Sequence, residues 1–255
     1  MNVRHLGRNA AYRSLHAFAR RRPVHCVLAY HSIGGQTAFS VPVDAFAAQM
    51  TLLAERFTVV PIAELRHAHA DGGRDDDLAC LTFDDGYRDN YEHALPILER
   101  LGLRASFFPA TGFLGHTFRS WAADHPMMTA EQVRRLAGLG HEIGAHGVTH
   151  RKLTQLPADV VRREAADSKA FLEDLTGRPV ETFAYPKGAY DHAVKDAVAD
   201  AGFATALTVR DGLLADDPDW LALPRLGIHD GLSVKAFAAK LSPAVDWYRW
   251  LRRQA

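Results

Sequence analysis

Leu78-Ala-Cys-Leu-Thr-Phe-Asp-Asp-Gly86 runs largely apolar and then stops on two carboxylates and a glycine. An apolar run of that length suits a buried strand. In α/β proteins ligands bind where strands end, so the segment presents Asp84 and Asp85 at the floor of a pocket. Neighbouring residues at a strand end point in different directions. Two adjacent carboxylates can therefore take two roles, one holding a metal and one handling protons. Taken alone, the same residues also read as a strand followed by an ordinary Asp-Gly turn. A second motif has to decide between the two.

On either side, strand-like and helical patterns alternate. Upstream, 24–30 is a strand ending at His31-Ser-Ile-Gly-Gly35. Residues 44–56 carry apolar side chains at helical spacing, 57–60 is a short strand, and Pro61 opens a helix to about Ala70. Downstream, helices are expected over 91–101, 129–139, 159–175 and 191–201, and a closing helix over 233–251. Strands are expected over 104–109, 141–145, 181–185, 203–209 and 221–228. Residues 111–128 fit neither period and read as an irregular lid or substrate loop carrying His116, Phe118, Trp121 and His125. Alternation without a break in composition argues for one α/β domain.

Thirty basic residues balance thirty acidic ones, so no global field points to nucleic acid. The 14 histidines invite a search for metal ligands. Cys26 and Cys80 sit in apolar strand-like runs without a CxxC partner and read as buried free thiols. No stretch approaches the ~20 apolar residues of a membrane span. Residues 1–22 lack the apolar core of a secretory signal. They read as a basic, amphipathic helical arm before a domain over 23–255, one that caps the barrel or touches an anionic membrane surface. The expected compartment is the cytoplasm, with any membrane contact peripheral to its inner face.

The second motif is His146-Gly-Val-Thr-His150. Imidazoles at i and i+4 face the same way if the segment turns helically, so both reach one ion. Such pairs also arise by chance. This one gains weight from Gly144 and Gly147 around the first His and from Asp85 at another strand end. Two His and one carboxylate with open positions make a site for a catalytic divalent metal. With Asp84 beside them, hydrolysis by metal-activated water is the chemistry inferred.

Thr82-Phe-Asp-Asp-Gly86, Gly140-His-Glu-Ile-Gly-Ala-His-Gly-Val-Thr-His150 and Phe183-Ala-Tyr-Pro-Lys-Gly188 resemble, in order and separation, the motifs of the polysaccharide deacetylases, carbohydrate esterase family four. The resemblance covers roughly residues 24–230. It implies a distorted (β/α) barrel with fewer than eight regular units. It also implies Asp84 as general base, with Asp85, His146 and His150 holding one divalent metal, usually Zn²⁺, with Co²⁺, Ni²⁺ or Mn²⁺ also suited to these ligands. The backbone N–H of Lys187 is then the expected oxyanion donor. The implied substrate is an N-acetylated glycan or lipid-linked sugar.

Two positions depart from the family pattern. An Arg that steadies the catalytic Asp is replaced by Ala184, and Arg225, near a late strand end, is the expected substitute. The family's acid His comes from a late strand, where only His229 is available. Val27-Leu-Ala-Tyr-His-Ser-Ile33, however, resembles the first strand of the poly-N-acetylglucosamine deacetylase branch, which looks circularly permuted, and this favours His31 as the acid. The other readings are hydrolysis of a different linear amide and a non-catalytic glycan-binding relative. A two-carboxylate glycosidase needs its carboxyls ~5–9 Å apart across the sugar and leaves the His pair unexplained.

Overall fold

The computed structural model describes residues 23–70, 76–120, 123–243 and 245. The basic arm expected over 1–22 lies outside the described residues. The strands are β1 (His25–Tyr30), β2 (Ser32–Ile33), β3 (Ser40–Val41), β4 (Thr58–Val59), β5 (Leu78–Asp85), β6 (Ser106–Pro109), β7 (Thr117–Ser120), β8 (Ala123–Pro126), β9 (Glu142–Ile143), β10 (Thr182–Ala184), β11 (Thr205–Leu207) and β12 (Leu226–Gly227). The helices are α1 (Val43–Arg56), α2 (Ile62–Ala70), α3 (Leu95–Arg100), α4 (Ala130–Gly138), α5 (Ala158–Thr176), α6 (His192–Asp200) and α7 (Val234–Lys240). None of the described helices is long and apolar enough to cross a membrane.

The strands form a ring. β12, β1, β5, β6 and β9 pair in that order, all parallel. Bridges at Ala145–Phe183 and Leu207–Leu223 carry the circuit through the parallel pair β10–β11 back toward β12. This is the expected distorted (β/α) barrel, closed by the first strand lying against the last. β1 is buried throughout, and β5 from Leu78 to Asp84. Strands covered on both faces read as unbroken apolar runs, which is why both were visible in the sequence.

Alternation along the strands sorts two apolar clusters. Tyr30, Phe83 and Phe107 stand side by side on β1, β5 and β6, Phe83 stacked on both neighbours at 5.6 and 4.8 Å between centroids. They pack in one cluster with Phe46 and Met50 of α1. The opposite face gives the barrel interior: Val27, Cys80, Phe108, Ala184, Leu207 and Leu223, with Ile62 and Leu65 of α2 against it. Cys80, Thr82 and Asp84 share that interior parity on β5. Asp84 is therefore the uppermost layer of the barrel interior. Both cysteines are free and buried.

Three expectations are corrected. The strand over 221–228 shrinks to β12 and a single bridge, because Pro224 has no N–H for a ladder. The strand over 203–209 likewise pairs only as β11. The irregular stretch 111–128 contains an antiparallel hairpin, β7–β8, in which Phe118 pairs with His125 and Arg119 grips Asp124 through two hydrogen bonds. The closing helix is described only over α7, with Ser233 capping it at the backbone N–H of Ala236 and Pro243 shortly beyond its end.

Candidate active site

The carboxyl ends of the parallel strands surround a cavity of about 640 Å³. The wall residues arrive from the ends of several different strands. His31 follows β1, Asp84 and Asp85 end β5, His146 and His150 follow β9, and Lys187 lies in a short 3₁₀ turn after β10. Arg225 stands immediately before β12. The barrel brings together every site residue expected from the sequence, and His229 lines the same cavity.

Asp84 and Arg225 form the buried floor. The Arg225 guanidinium donates to both carboxylate oxygens, at 2.8 and 2.6 Å, and also to the Thr82 hydroxyl and the Thr208 carbonyl. Arg225 is 1% exposed and Asp84 2%. Burial pushes the Asp84 carboxyl up, but the Arg225 charge and hydrogen bonds outweigh it, and the group is held below the usual carboxylate range. Ala184, on the same interior face, brings no side chain toward Asp84. Arg225 supplies that contact across the point of barrel closure.

Asp85 turns away from its neighbour because its backbone leaves the strand conformation at φ 70°. Among the described residues, Asp85, His150 and Lys187 are the non-glycine positions with positive φ, at 70°, 53° and 58°, and all three line the cavity. Non-glycine residues at such angles are sparse and cluster at functional sites. Gly144, just after β9, is required by close approach: a Cβ there would sit 2.2 Å from Phe108 Cε1 and 2.5 Å from the Thr182 hydroxyl.

Three side chains converge. His146 Nε2 and His150 Nε2 lie 3.3 and 3.1 Å from Asp85 Oδ1. The two imidazoles do not meet on a helix, contrary to the expectation from i, i+4 spacing. Residues 146–150 form a bent loop with Gly147 at φ 72° and His150 at φ 53°.

The Nδ1–H of His146 donates to the Ala184 carbonyl at 2.7 Å, so a neutral imidazole turns a bare Nε2 lone pair toward the carboxylate. Asp85 Oδ1 is correspondingly buried without a hydrogen-bond partner. Lone pairs facing one another at this range need a cation between them, and the separations match the ~3.4 Å expected between donors each ~2.1 Å from a zinc ion. The set therefore fits a divalent metal. Without one, a proton is the competing cation. Burial pushes the His146 imidazole down, but Asp85 and Asp84 outweigh it and raise its pKa. The Asp85 carboxyl is pushed up by burial and, more strongly, down by the two imidazoles.

His31 is half-buried, with its Nδ1 buried and without a hydrogen-bond partner. Its charge reaches both Asp84 and Asp85. The Nδ1–H of His229 donates to the Asp230 carbonyl at 2.8 Å. The chain after His31 is anchored by Asp89, which accepts from the Ser32 hydroxyl at 2.5 Å and the Ile33 N–H at 3.1 Å.

Phe39, half-exposed, packs on His31 at 5.4 Å, and Phe118 meets His150 edge-on at 6.2 Å, so aromatic rings border the cavity on two sides. Trp121 lies outside the described residues. His116 is exposed, and His125 is buried edge-on to Tyr87. Sequence reasoning passed over Asp89, Phe39 and Glu164. Asp89 stood only three residues beyond Gly86, and that nearness was its one available signal.

The family model described as polysaccharide deacetylase matches residues 71–206. YxkH of Bacillus subtilis (strain 168), which carries the same family's name, is 29% identical over 215 residues, 84% of this chain and 74% of the relative. Among solved structures, the Streptococcus pyogenes deacetylase PplD in complex with acetate shares the fold with TM-score 0.77 at 24% identity, over 88% of this chain and 100% of that one. IcaB from Ammonifex degensii shares it with TM-score 0.74 at 22% identity, over 86% and 98%. At those identities the structures speak for the fold. The family model speaks for more: it takes in Asp84, Asp85, His146 and His150 and spans more than half of the sequence, and on that match the chain belongs to the polysaccharide deacetylase family.

Proposed function

We propose that the protein is a metal-dependent hydrolase that removes N-acetyl groups from an N-acetylhexosamine-containing glycan. The observation that carries this reading is the convergence of Asp85, His146 and His150 on one point beside the buried Asp84–Arg225 pair. A divalent ion held by Asp85, His146 and His150, zinc by the chemistry of the set, would supply Lewis-acid polarisation of the acetamide carbonyl and lower the pKa of the attacking water.

The remaining work falls to the chain itself. Asp84 takes the proton from water as its oxygen attacks the acetyl carbon. Arg225 holds both Asp84 oxygens, fixing the carboxylate and keeping it ionised. The Lys187 N–H, turned by the positive φ of that residue, steadies the developing oxyanion. His31 delivers a proton to the amine nitrogen as the C–N bond breaks, because an amide anion is too basic to leave. Phe39 and Phe118 offer apolar faces to the sugar. The basic 1–22 segment adds a further proposal, peripheral contact with an anionic membrane surface, read from its sequence alone.

The test is acetate release from a panel of N-acetylglucosamine-containing oligosaccharides. Chelator-treated protein should be inactive and regain activity with Zn²⁺ or Co²⁺. Acetate release unaffected by chelation, or none from any member of the panel, would reject the reading.

A further inference from the structure

A helix would hold two imidazoles at i and i+4 in line automatically. The loop 146–150 is not helical, so something else has to set the distance between His146 and His150. Glu164, in the second turn of α5, touches all three residues between them or their hydrogen-bonding groups. Its Oε2 accepts the backbone N–H of Val148 at 2.7 Å and of Thr149 at 2.9 Å, and its Oε1 accepts the Thr149 hydroxyl at 2.5 Å. Gly147 completes the contact: a Cβ there would lie 2.9 Å from Glu164 Oε2, on a backbone at φ 72° that disfavours side chains in any case.

Glu164 is 5% exposed, and among the described residues no basic side chain pairs with it. A buried carboxylate is costly unless its lone pairs are taken. Here they are taken by donors of the loop, through charge-assisted hydrogen bonds about twice as strong as neutral ones. The α5 helix is thereby tied to the loop at its midpoint rather than at either imidazole. That is where a tie controls the separation of the two rings.

We propose that Glu164 is a positioning residue that sets the spacing of His146 and His150 toward Asp85, and with it the affinity and coordination geometry of the divalent ion. This rests on the reading of Asp85, His146 and His150 as the ligands. A carboxylate that only stitched α5 to the barrel would affect stability and leave the bound ion unchanged.

The experiment measures the zinc dissociation constant by competition with a chromogenic chelator, and the visible spectrum of the Co²⁺-substituted protein, on the full chain. Glu164→Ala should weaken zinc binding by ~10–100-fold, as outer-shell substitutions do, and shift the Co²⁺ spectrum while far-UV circular dichroism stays native. Glu164→Gln should restore most of the affinity, since its amide oxygen still accepts both N–H groups and its NH₂ still meets the Thr149 hydroxyl. Wild-type affinity and spectrum in folded Glu164→Ala would overturn the proposal, as would a Gln variant no better than Ala. If Glu164→Ala does not fold, Thr149→Val removes one donor of the three and decides the matter: weaker binding supports the proposal and unchanged binding ends it. His146→Ala is the control. Wild-type zinc content there would reject the ligand reading itself, whatever Glu164 does.

Discussion

Arg225 and Asp84 stand 141 residues apart in sequence and face each other through two parallel hydrogen bonds inside the barrel. Removing one partner of a buried pair strands the other charge, which costs ~3–5 kcal/mol. Arg225→Met should destabilise by that order in urea titration. It should also raise the Asp84 pKa and move the acidic limb of the kcat/KM profile to higher pH. Arg225→Lys should recover only part of both, because an ammonium lacks the planar fork. A profile whose acidic limb stays in place in both variants would mean that Asp84 is not the group being titrated.

Asp84→Asn should keep the metal and lose activity by ~10²–10⁴-fold, the usual range for a general base. Its amide matches the carboxylate in shape but takes no proton. Elemental analysis separates the two carboxylates. Metal lost from Asp84→Asn and kept in Asp85→Asn would exchange their roles.

His31→Ala should lose activity by orders of magnitude with metal retained, while His229→Ala stays near wild type. The structural ground is that the charge of His31 helps to hold both Asp84 and Asp85 below the usual carboxylate range. Single-turnover acetate release on metal-loaded samples of both variants gives the answer. The reverse pattern would assign the proton donor to the last strand.

Zinc affinity should rise with pH. The His146 pKa is raised in the metal-free protein, so binding must displace a proton there. Below that pKa the apparent affinity should gain roughly tenfold per pH unit for one displaced proton. The same shift stabilises the metal-free fold fully below the ordinary imidazole pKa, and that contribution is lost as pH rises through the raised value. Calorimetry in buffers of different ionisation heat counts the protons released. A count of zero would show that His146 carries none.

Gly144→Ala should destabilise by ~1–3 kcal/mol, the range for overpacking a tight interior, because its methyl meets the Phe108 ring and the Thr182 hydroxyl. Thermal unfolding of the metal-free protein reads this without help from the ion. An unchanged midpoint would mean that Phe108 can move aside.

Much of the barrel was legible because β1 and β5 are covered on both faces and so are written in unbroken apolar residues. Asp84, Asp85, His146 and His150 were legible because strand-end carboxylates and paired imidazoles are rare in combination. Arg225 was reachable only by asking what replaced an expected guanidinium at Ala184, since no local pattern marks a contact across the closure of a ring. The conformation of 146–150 was not legible. Spacing of four suggests a helix, but Gly147 and the grip of Glu164 hold a loop, and Glu164 lies on another element. β12 was overextended because apolar content does not reveal what Pro224 does to a ladder. The hairpin β7–β8 was missed because each strand has four residues, too few for a period to show.

Closure of the barrel through β12 also imposes an order on how the site is born. Synthesis proceeds from the N-terminus, so Asp85, His146 and His150 leave the ribosome well before Arg225 and before β12, the later of the two strands that pair with β1. A nascent chain therefore carries its whole candidate ligand set while Asp84 still waits for its counter-ion. The last strand acts as a completion check, since the carboxylate gains its guanidinium only when the chain has come full circle. Products stalled or clipped ahead of residue 225 would hold the ligand set, Asp84 and His31, but not the guanidinium that fixes and ionises Asp84.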